Sequence, residues 1–306
     1  MGTPDFAVPA LRALIETEVI LLAVVTQPDR PKGRGRKLAP PPVKQVALEE
    51  GLQVLQPERA SSPEFCEEIR KMSPDLIVVV AFGQILKKNL LEVPTWGALN
   101  IHASLLPKYR GAAPIQWVIL QGETKTGLTA MKMDEGMDTG PVIRQMEIAI
   151  ERYETGGHLH DRLSSLAGPF LVDVLDSLTT GDYSLQVQDD FLATYAPKIT
   201  RDMAKIVWER SAGEISCKIR AFDPWPGAFS FVNGNQVKFF GISSVEEGVA
   251  EAEPGTVLGF DSAGMLVQAR DGVLTVGEMQ FPGKRRMAVA EIIKGFSLRP
   301  GDKFQS

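Results

Sequence analysis

Residues 75–82 read Asp-Leu-Ile-Val-Val-Val-Ala-Phe, an apolar run that follows a single charged residue. A continuous run rich in Val and Ile is typical of a strand that is buried on both faces of a sheet. The residues before it, 63–72, are predicted to be helical. A buried strand beside a helix indicates an α/β fold with a parallel sheet.

The same alternation extends to both sides of this run. Toward the N-terminus we predict helices over 6–16 and 42–51 and a buried strand over 19–27. Toward the C-terminus we predict strands over 97–102, 127–133 and 142–150, and helices over 114–120 and 159–178. The pattern predicts a Rossmann-like, doubly wound, mostly parallel sheet in a first domain, residues 1–180.

The beginning of the sequence departs from this pattern. Residues 2–5, Gly-Thr-Pro-Asp, resemble a turn that leads from a strand into a helix, yet no strand precedes them. A sheet without its opening strand would leave unpaired backbone groups at a buried edge, which is costly. Either the natural start lies upstream or the fold accommodates the gap.

The character of the chain changes after residue 180. Residues 181–202 are polar and without strong periodicity, and we predict a linker there. Residues 203–306 combine a short helix, 212–221, with short strands separated by turn signals such as Asn233-Gly234 and Asp271-Gly272. This pattern predicts a small C-terminal β-barrel of the OB-like kind.

Composition excludes several classes of protein. Of 306 residues, 44% are hydrophobic and 23% are charged, which is the balance of a globular protein. The longest apolar runs, 19–25 and 76–82, are seven residues long, far below the roughly 20 that cross a bilayer. The N-terminus lacks the pattern of a secretory signal, and two cysteines fit a reducing compartment, so we expect a cytoplasmic protein without a membrane partner.

Charge is distributed unevenly. The formal net charge is -5, which argues against a surface that is positive throughout. Within residues 28–44, however, Asp29 is the only acid. The basic residues of this stretch are Arg30, Lys32, Arg34, Arg36, Lys37 and Lys44.

Two polar regions could contain catalytic residues. Asn100 and His102 lie two residues apart at the end of a predicted strand, so their side chains share a face. An amide beside an imidazole can stabilise an oxyanion and move a proton. In the second region, 133–140, Asp138 could orient that imidazole or hold it protonated. Both regions are expected at the carboxyl ends of strands, where open α/β sheets bind ligands.

Other readings of these residues are weaker. An isolated Asn-x-His, or Asp138 alone, is more often structural than catalytic. His158 and His160 could suggest a metal site, but His102 is the one other histidine, so we expect no metal. Ser104 lacks the G-x-S-x-G turn of a serine hydrolase.

A longer motif adds to this reading. Residues 100–111, Asn-Ile-His-Ala-Ser-Leu-Leu-Pro-Lys-Tyr-Arg-Gly, followed by Ala-Ala-Pro-Ile-Gln-Trp, resemble a signature of the folate-dependent formyltransferase family, and 127–143 resemble its second signature. The resemblance implies that Asn100, His102 and Asp138 are catalytic and that 10-formyltetrahydrofolate is the donor. It implies donor contacts at Ser104, Leu105, Leu106 and Pro107 and, near the pterin, at Phe82, Gly83, Ile85 and Leu86.

The acceptor distinguishes the branches of this family. The glycinamide ribonucleotide branch lacks a second domain, whereas residues 219–227 resemble a segment that the sugar-nucleotide and tRNA branches share. Residues 26–38 resemble the basic insertion of the branch that formylates initiator methionyl-tRNA. This implies a monomer that binds the folate donor and initiator methionyl-tRNA. The tRNA contacts are expected from Arg30, Lys32, Arg34, Arg36 and Lys37 and from Lys284, Arg285 and Arg286.

Two alternatives to this acceptor remain open on the sequence. One is a formyltransferase that acts on the amine of a sugar nucleotide. The other is a folate- or tRNA-binding protein without catalysis.

Overall fold

The computed structural model describes residues 1–32, 37–248, 252–295 and 298–306. The chain divides into two compact units, which we call unit 1 and unit 2. Unit 1 comprises Met1–Pro114, Thr126–Ile148 and His160–Ala196, and unit 2 comprises Ile115–Lys125, Ala149–Leu159 and Pro197–Ser306. Unit 2 therefore takes two pieces of chain from within the region that the sequence assigns to the first domain.

Helices and strands alternate through the first half of the chain. The helices are α1 (Val8–Ile15), α2 (Pro42–Glu49), α3 (Pro63–Met72), α4 (Lys88–Leu91), α5 (Pro114–Leu120), α6 (Gly156–Thr180), α7 (Ala212–Ala221) and α8 (Val289–Ile292). The strands up to residue 196 are β1 (Val24–Val25), β2 (Arg30–Lys32), β3 (Lys37–Ala39), β4 (Val54–Leu55), β5 (Ile77–Val79), β6 (Ala98–His102), β7 (Arg110–Gly111), β8 (Lys125–Lys132), β9 (Val142–Ala149) and β10 (Tyr195–Ala196). The later strands are β11 (Phe229–Val232), β12 (Asn235–Glu247), β13 (Val257–Phe260), β14 (Met265–Gln268), β15 (Gly272–Gln280) and β16 (Met287–Ala288).

The parallel part of unit 1 is built from short strand pairs. Strands β1 and β4 pair in parallel, as do β5 and β6. Gly2 lies between the two pairs: its N–H donates to Val25 O (3.0 Å), while Val80 N–H donates to Met1 O (2.9 Å). The Met1 amino group donates to Val78 O (2.6 Å), and its burial lowers its pKa to about 5. These contacts confirm the α/β class, and the first two residues occupy the gap in the sheet.

The prediction of a strand over 19–27 is wrong for most of these residues. It forms only at Val24–Val25, and the Ile20 side chain is 86% exposed. The physical reason is a lack of partners, because β4 and the first two residues each offer only a two-residue edge for pairing.

Strand β8 departs from the parallel arrangement. It pairs antiparallel to β6, with Asn100 opposite Met131 and His102 opposite Thr129. The four strands lie in the order β5-β6-β8-β9, so β6 is an inner strand, and all five of its residues are buried. The sheet thus holds Asn100 and His102 by backbone pairing on both sides.

Unit 2 is built on a curled antiparallel sheet. Its strands follow the order β11-β12-β15-β14-β13, and β16 also pairs with β15. Near the C-terminus, Gln305 bridges to Phe231 on one edge strand and Lys303 bridges to Thr256, which precedes the other edge strand. The core contains Trp208, which is fully buried and stacks on Phe304. This sheet confirms the prediction of a small barrel-like β domain.

No helix in the described ranges has both the length and the apolar composition that a bilayer crossing requires.

Candidate active site

The amide of Asn100 and the imidazole of His102 project from the same face of β6, as the strand periodicity predicts. Both residues are buried, His102 to 6% exposure and Asn100 to 9%. Polar side chains at such depth require hydrogen-bond partners, and the structure supplies them from the segments that follow β6 and β8.

The two nitrogens of His102 face different groups. Its Nε2 lies 2.9 Å from the backbone carbonyl of Tyr109. Because a carbonyl oxygen can only accept, Nε2 carries a hydrogen and donates it there. The other nitrogen, Nδ1, lies 3.6 Å from Oδ2 of Asp138. A proton taken up at Nδ1 would therefore create a positive charge that faces a carboxylate.

The carboxylate of Asp138 is held from two sides. Its Oδ2 accepts the backbone N–H of Gly111 at 2.8 Å, and its Oδ1 lies 3.5 Å from Nδ2 of Asn100. Gly111 has a φ of +119°, and an added Cβ would lie 2.9 Å from Ala196 O, so only glycine suits this position. The structure thus brings together Asn100, His102 and Asp138.

The route of Asp138 into the site depends on the direction of β8. Region 133–140 follows the carboxyl end of β8, as expected from the sequence. Because β8 is antiparallel to β6, that end at Lys132 lies opposite Leu99 and not beside the carboxyl end of β6. The following loop turns back along the sheet, where Met133 N–H donates to Ala98 O (2.7 Å).

The loop after β6 is braced by β8 and β9. Thr129 is fully buried, and its hydroxyl donates to Ser104 O (2.6 Å) while it accepts from Leu106 N–H (3.1 Å). Gln145 donates to the same hydroxyl and to Leu106 O (2.8 Å). Ser104 and Leu106 are buried, whereas Leu105 and Pro107 are half-buried. These bonds fix the loop that the sequence resemblance assigns to the donor.

The second predicted donor segment combines core and surface residues. Phe82 and Leu86 are each 2% exposed and belong to the core of unit 1. Ile85 is 79% exposed and Gly83 is also exposed, so these two are accessible to a ligand. The backbone here is anchored, because the Thr3 hydroxyl donates to Phe82 O (2.9 Å).

The basic segment begins as a β-hairpin. Strands β2 and β3 pair antiparallel, with Lys32 opposite Lys37. Arg30 is exposed, and Arg34 and Arg36 lie outside the described residues. Hydrogen bonds from the Lys44 ammonium (2.8 and 2.9 Å) and from Gln56 lower the pKa of the Asp29 carboxyl. Asp29 and Lys44 therefore neutralise each other, and the hairpin keeps its positive excess.

The second basic cluster is mixed in character. Lys284 is exposed, and Arg285 is exposed to 82% of its side chain, 3.9 Å from Glu291. Arg286 is different: its guanidinium binds both carboxylate oxygens of Asp223 (2.7 and 3.0 Å) and lies over the ring of Phe240. The guanidinium of Arg286 therefore already has partners within unit 2, namely Asp223 and Phe240.

Among the described residues, no three or more His, Cys, Asp or Glu side chains lie close enough together to hold a metal ion. His160 instead contacts Asp161 (2.9 Å) and packs edge-on against Phe6.

Sequence reasoning missed two polar residues beside the site. Arg110 is 2% exposed and binds Gln188, which lies in the segment predicted to be a linker. That segment is hydrogen-bonded into unit 1 as far as β10, which pairs in parallel with β7. Arg110 belongs to the quoted motif and could have been suspected, whereas a single Gln in an aperiodic stretch gives no signal.

Comparison with known proteins agrees with this architecture. The family model described as formyl transferase matches residues 1–175, and that described as formyl transferase, C-terminal domain, matches residues 198–297. The chain is 46% identical over 303 residues to the methionyl-tRNA formyltransferase of Geobacter sulfurreducens, covering 99% of this chain and 95% of that protein. It is 48% identical over 301 residues to the one from Pelobacter propionicus, covering 98% and 93%.

A solved structure provides a fold-level likeness. The N-formyltransferase from Helicobacter canadensis, described in complex with folinic acid and dTDP-3-aminofucose, matches with a TM-score of 0.64 at 19% identity, covering 90% of this chain and 97% of that one. At this identity the likeness extends to the fold alone.

Replacement of Thr129 by valine tests the brace of the loop after β6. Thr129→Val keeps the shape but leaves Leu106 N–H and Ser104 O without their buried partner, so we expect the free energy of unfolding to fall by about 1–3 kcal/mol. Thr126→Val is the matched control, because among the described residues the buried hydroxyl of Thr126 has no hydrogen-bond partner. We expect that control to be neutral or stabilising. Urea denaturation checks both variants, and equal effects would contradict the role of the Thr129 brace.

Proposed function

The chain belongs to the formyl transferase family, and on that premise we propose that it transfers the formyl group of 10-formyltetrahydrofolate to the methionyl amine of initiator methionyl-tRNA. The choice of acceptor is supported by full-length identity of 46–48% to methionyl-tRNA formyltransferases. The catalytic part rests on one observation, the meeting of Asn100, His102 and Asp138 at one end of β6. The product, N-formylmethionyl-tRNA, would serve translation initiation in the cytoplasm.

The reaction requires one new bond, one broken bond and one proton shift. A bond forms between the methionyl nitrogen and the formyl carbon, and the bond from that carbon to the folate nitrogen breaks. The methionyl nitrogen loses one proton and the folate nitrogen gains one. Negative charge develops on the formyl oxygen, so the site must supply a hydrogen-bond donor and a group that carries a proton.

Asn100 supplies the donor in this proposal. Its Nδ2 is a neutral donor at a buried position, where a hydrogen bond to developing charge is stronger than in water. The 3.5 Å contact with Asp138 fixes the direction of the amide. In the proposal, Asn100 donates to the formyl oxygen as that oxygen becomes negative.

His102 and Asp138 carry the proton in this proposal. Because Nε2 donates to Tyr109 O, the nitrogen left to accept a proton from the attacking amine is Nδ1. Asp138, 3.6 Å away, would stabilise the imidazolium that results, and the proton would then pass to the departing folate nitrogen. The backbone N–H of Gly111 donates to the carboxylate of Asp138 and holds it in place beside His102.

The donor is expected along two loops of unit 1. Ile85 offers an exposed apolar side chain beside the backbone of Gly83, which suits a flat ring that needs an apolar contact and backbone hydrogen bonds. The braced loop Ser104, Leu105, Leu106 and Pro107 would place the formyl group near Asn100 and His102. The donor supplies the activated formyl group, and the chain's own residues orient it.

The tRNA is expected to meet basic side chains. We assign phosphate contacts to the basic residues of segment 30–37, namely Arg30, Lys32, Arg34, Arg36 and Lys37, and to Lys284 and Arg285. Arg286 is left out, because Asp223 and Glu278 already bind its guanidinium. Such contacts position a nucleic acid and make its affinity depend on salt. We expect the enzyme to act as a monomer without a membrane partner.

A direct assay tests the acceptor. We expect the purified chain to transfer label from formyl-labelled 10-formyltetrahydrofolate to charged initiator tRNA. A sugar nucleotide that carries a free amine is the competing acceptor, and uncharged initiator tRNA is the control. Label on the sugar nucleotide alone would overturn the acceptor, and no label on any acceptor would overturn the enzymatic function.

Substitution of the catalytic groups gives a second test. We expect His102→Ala and Asp138→Asn each to lower kcat by roughly 10²–10⁴, because each removes a participant in proton transfer or its charge partner. His158→Ala is the matched control, since His158 is exposed, and should retain the wild-type rate. Single-turnover formylation measures the rates, and circular dichroism checks the fold. A wild-type rate in either site variant would refute the assignment.

Removal of two arginines tests the basic hairpin. The double variant Arg34→Ala/Arg36→Ala should bind charged initiator tRNA more weakly, and the slope of log Kd against log salt should fall by about 1.4–1.8, since each phosphate contact contributes about 0.7–0.9. The KM for the donor should not change.

The matched control for the basic segment is Arg59→Ala/Arg70→Ala, which removes two exposed arginines elsewhere in unit 1 and alters the net charge equally. Titrations of tRNA at several salt concentrations provide the measurement. An unchanged slope in the hairpin variant, or an equal change in the control, would remove the hairpin from the tRNA interface.

A further inference from the structure

The side-chain amide of Gln188 has a hydrogen-bond partner at every position. Its Nε2 donates to two backbone carbonyls, those of Asp138 (2.9 Å) and Gly140 (2.7 Å). Its Oε1 accepts from Nε and Nη2 of Arg110 (3.1 and 2.9 Å). A primary amide has two donors and two acceptor lone pairs, so this side chain uses its full capacity.

Arg110 fixes the orientation of this amide. Its side chain is 2% exposed, and its third contact is from Nη1 to Oδ1 of Asp190 (2.9 Å). A guanidinium donates and never accepts, so it binds only the oxygen of Gln188 and turns the NH₂ group toward the two carbonyls. The pair therefore has one stable arrangement, and the amide cannot flip without the loss of four hydrogen bonds.

The NH₂ group of Gln188 binds the backbone that carries the carboxylate of Asp138. Asp138 has a φ of +55°, a left-handed conformation that costs a non-glycine residue about 1 kcal/mol or more. Gly140, two residues on, has no room for a side chain, since a Cβ would lie 1.8 Å from Lys132 O. Gln188 binds the carbonyls of both residues and so holds the turn in the conformation that presents the carboxylate.

Arg110 also connects this backbone to the carboxylate itself. The residue after it, Gly111, donates its N–H to Asp138 Oδ2. The strand β7 that contains both is paired with β10, and Arg110 N–H donates to Thr194 O (2.9 Å). The Asp138 residue is thus held at its carbonyl by Gln188 and at its side chain by Gly111, and Arg110 is common to both supports.

We propose that Gln188, oriented by Arg110, is a positioning residue that sets the catalytic geometry of Asp138 against His102 and Asn100. The inference rests on the proposed function, because it concerns the rate of that reaction. Neither residue needs to contact substrate. Since a displacement of about 1 Å can cost about 100-fold in rate, loss of the amide should lower kcat by roughly 10- to 100-fold.

Two variants at position 188 test the inference. Gln188→Glu has nearly the same size and keeps the acceptor oxygens for Arg110, but it has no donors for the two carbonyls. Gln188→Ala removes the whole side chain. In both we expect the lowered kcat, with the KM values for donor and tRNA within about 2-fold of wild type, because binding groups are untouched.

The matched control is Gln186→Ala. Gln186 is the same residue type in the same segment, its side chain is exposed, and its pairing with Val142 uses only backbone atoms. We expect wild-type kcat and KM in this control. A thermal melt of every variant shows whether a loss of rate accompanies a loss of fold.

A double-mutant cycle distinguishes positioning from general support of the fold. If Gln188 acts through the carboxylate of Asp138, then Gln188→Glu should add less than about 3-fold to the loss caused by Asp138→Asn. Asparagine tolerates the left-handed conformation of residue 138, so the backbone is kept in that background. Losses that multiply would overturn the inference, because Gln188 would then act independently of the carboxylate.

The remaining outcomes are also decisive. A wild-type kcat in Gln188→Glu would overturn the inference, and so would unfolding of both variants at this position, since the residue would then support the fold as a whole. If the wild-type chain itself transfers no formyl group, the proposed function fails instead. That result is distinct from an active wild-type chain with an active Gln188→Glu variant.

Discussion

The hydrogen bond from Gly111 N–H to the carboxylate of Asp138, at 2.8 Å, connects the two halves of the candidate site. It joins Gly111 of β7 to Asp138 in the loop after β8, 27 residues further along the chain. This approach requires glycine at position 111, because a Cβ there would lie only 2.9 Å from Ala196 O. Without it, Asp138 would sit in an exposed loop, and the polar face of β6 would lack its charge partner.

Burial gives these few groups their chemical effect. Asn100 and His102 are held in an inner strand, where hydrogen bonds to developing charge are stronger than in water and where unpaired polar groups are costly. The structure meets that cost with neutral backbone carbonyls and amides, such as Tyr109 O for the imidazole. Arg110 is a buried charge beside this site, and it is tolerated because Gln188 and Asp190 accept its donors. The site is therefore a connected set of polar groups in which each fixes its neighbour.

Periodicity and motif predicted the features that depend on local sequence. Within the apolar run at 75–82, residues Ile77–Val79 form β5, and the Asn-x-His spacing placed both side chains on one face of β6. Features that depend on distant partners were not predictable. The run at 19–27 has the composition of a long strand, yet its neighbours offer only two residues for pairing. The direction of β8 and the insertion of 115–125 and 149–159 into unit 2 have no sequence signature. The role of Gln188 could not be predicted for the same reason, since its hydrogen-bond partners lie 48 to 78 residues away along the chain.

The candidate active site and the basic hairpin depend on different electrostatic conditions. The carboxylate of Asp138 lies among Asn100, His102 and Gly111, two of which are buried, so the geometry of these contacts depends little on dissolved salt. The charges of the β2–β3 hairpin are different: Arg30 is exposed, and Asp29, the acid beside it, is already neutralised by Lys44. Exposed charges are screened over about 8–10 Å at physiological salt. Ionic strength would therefore weaken the proposed capture of tRNA by these charges and leave the geometry around Asp138 intact. If the hairpin binds the acceptor as proposed, changes at its surface residues would alter acceptor affinity without disturbing β6, the strand that holds Asn100 and His102.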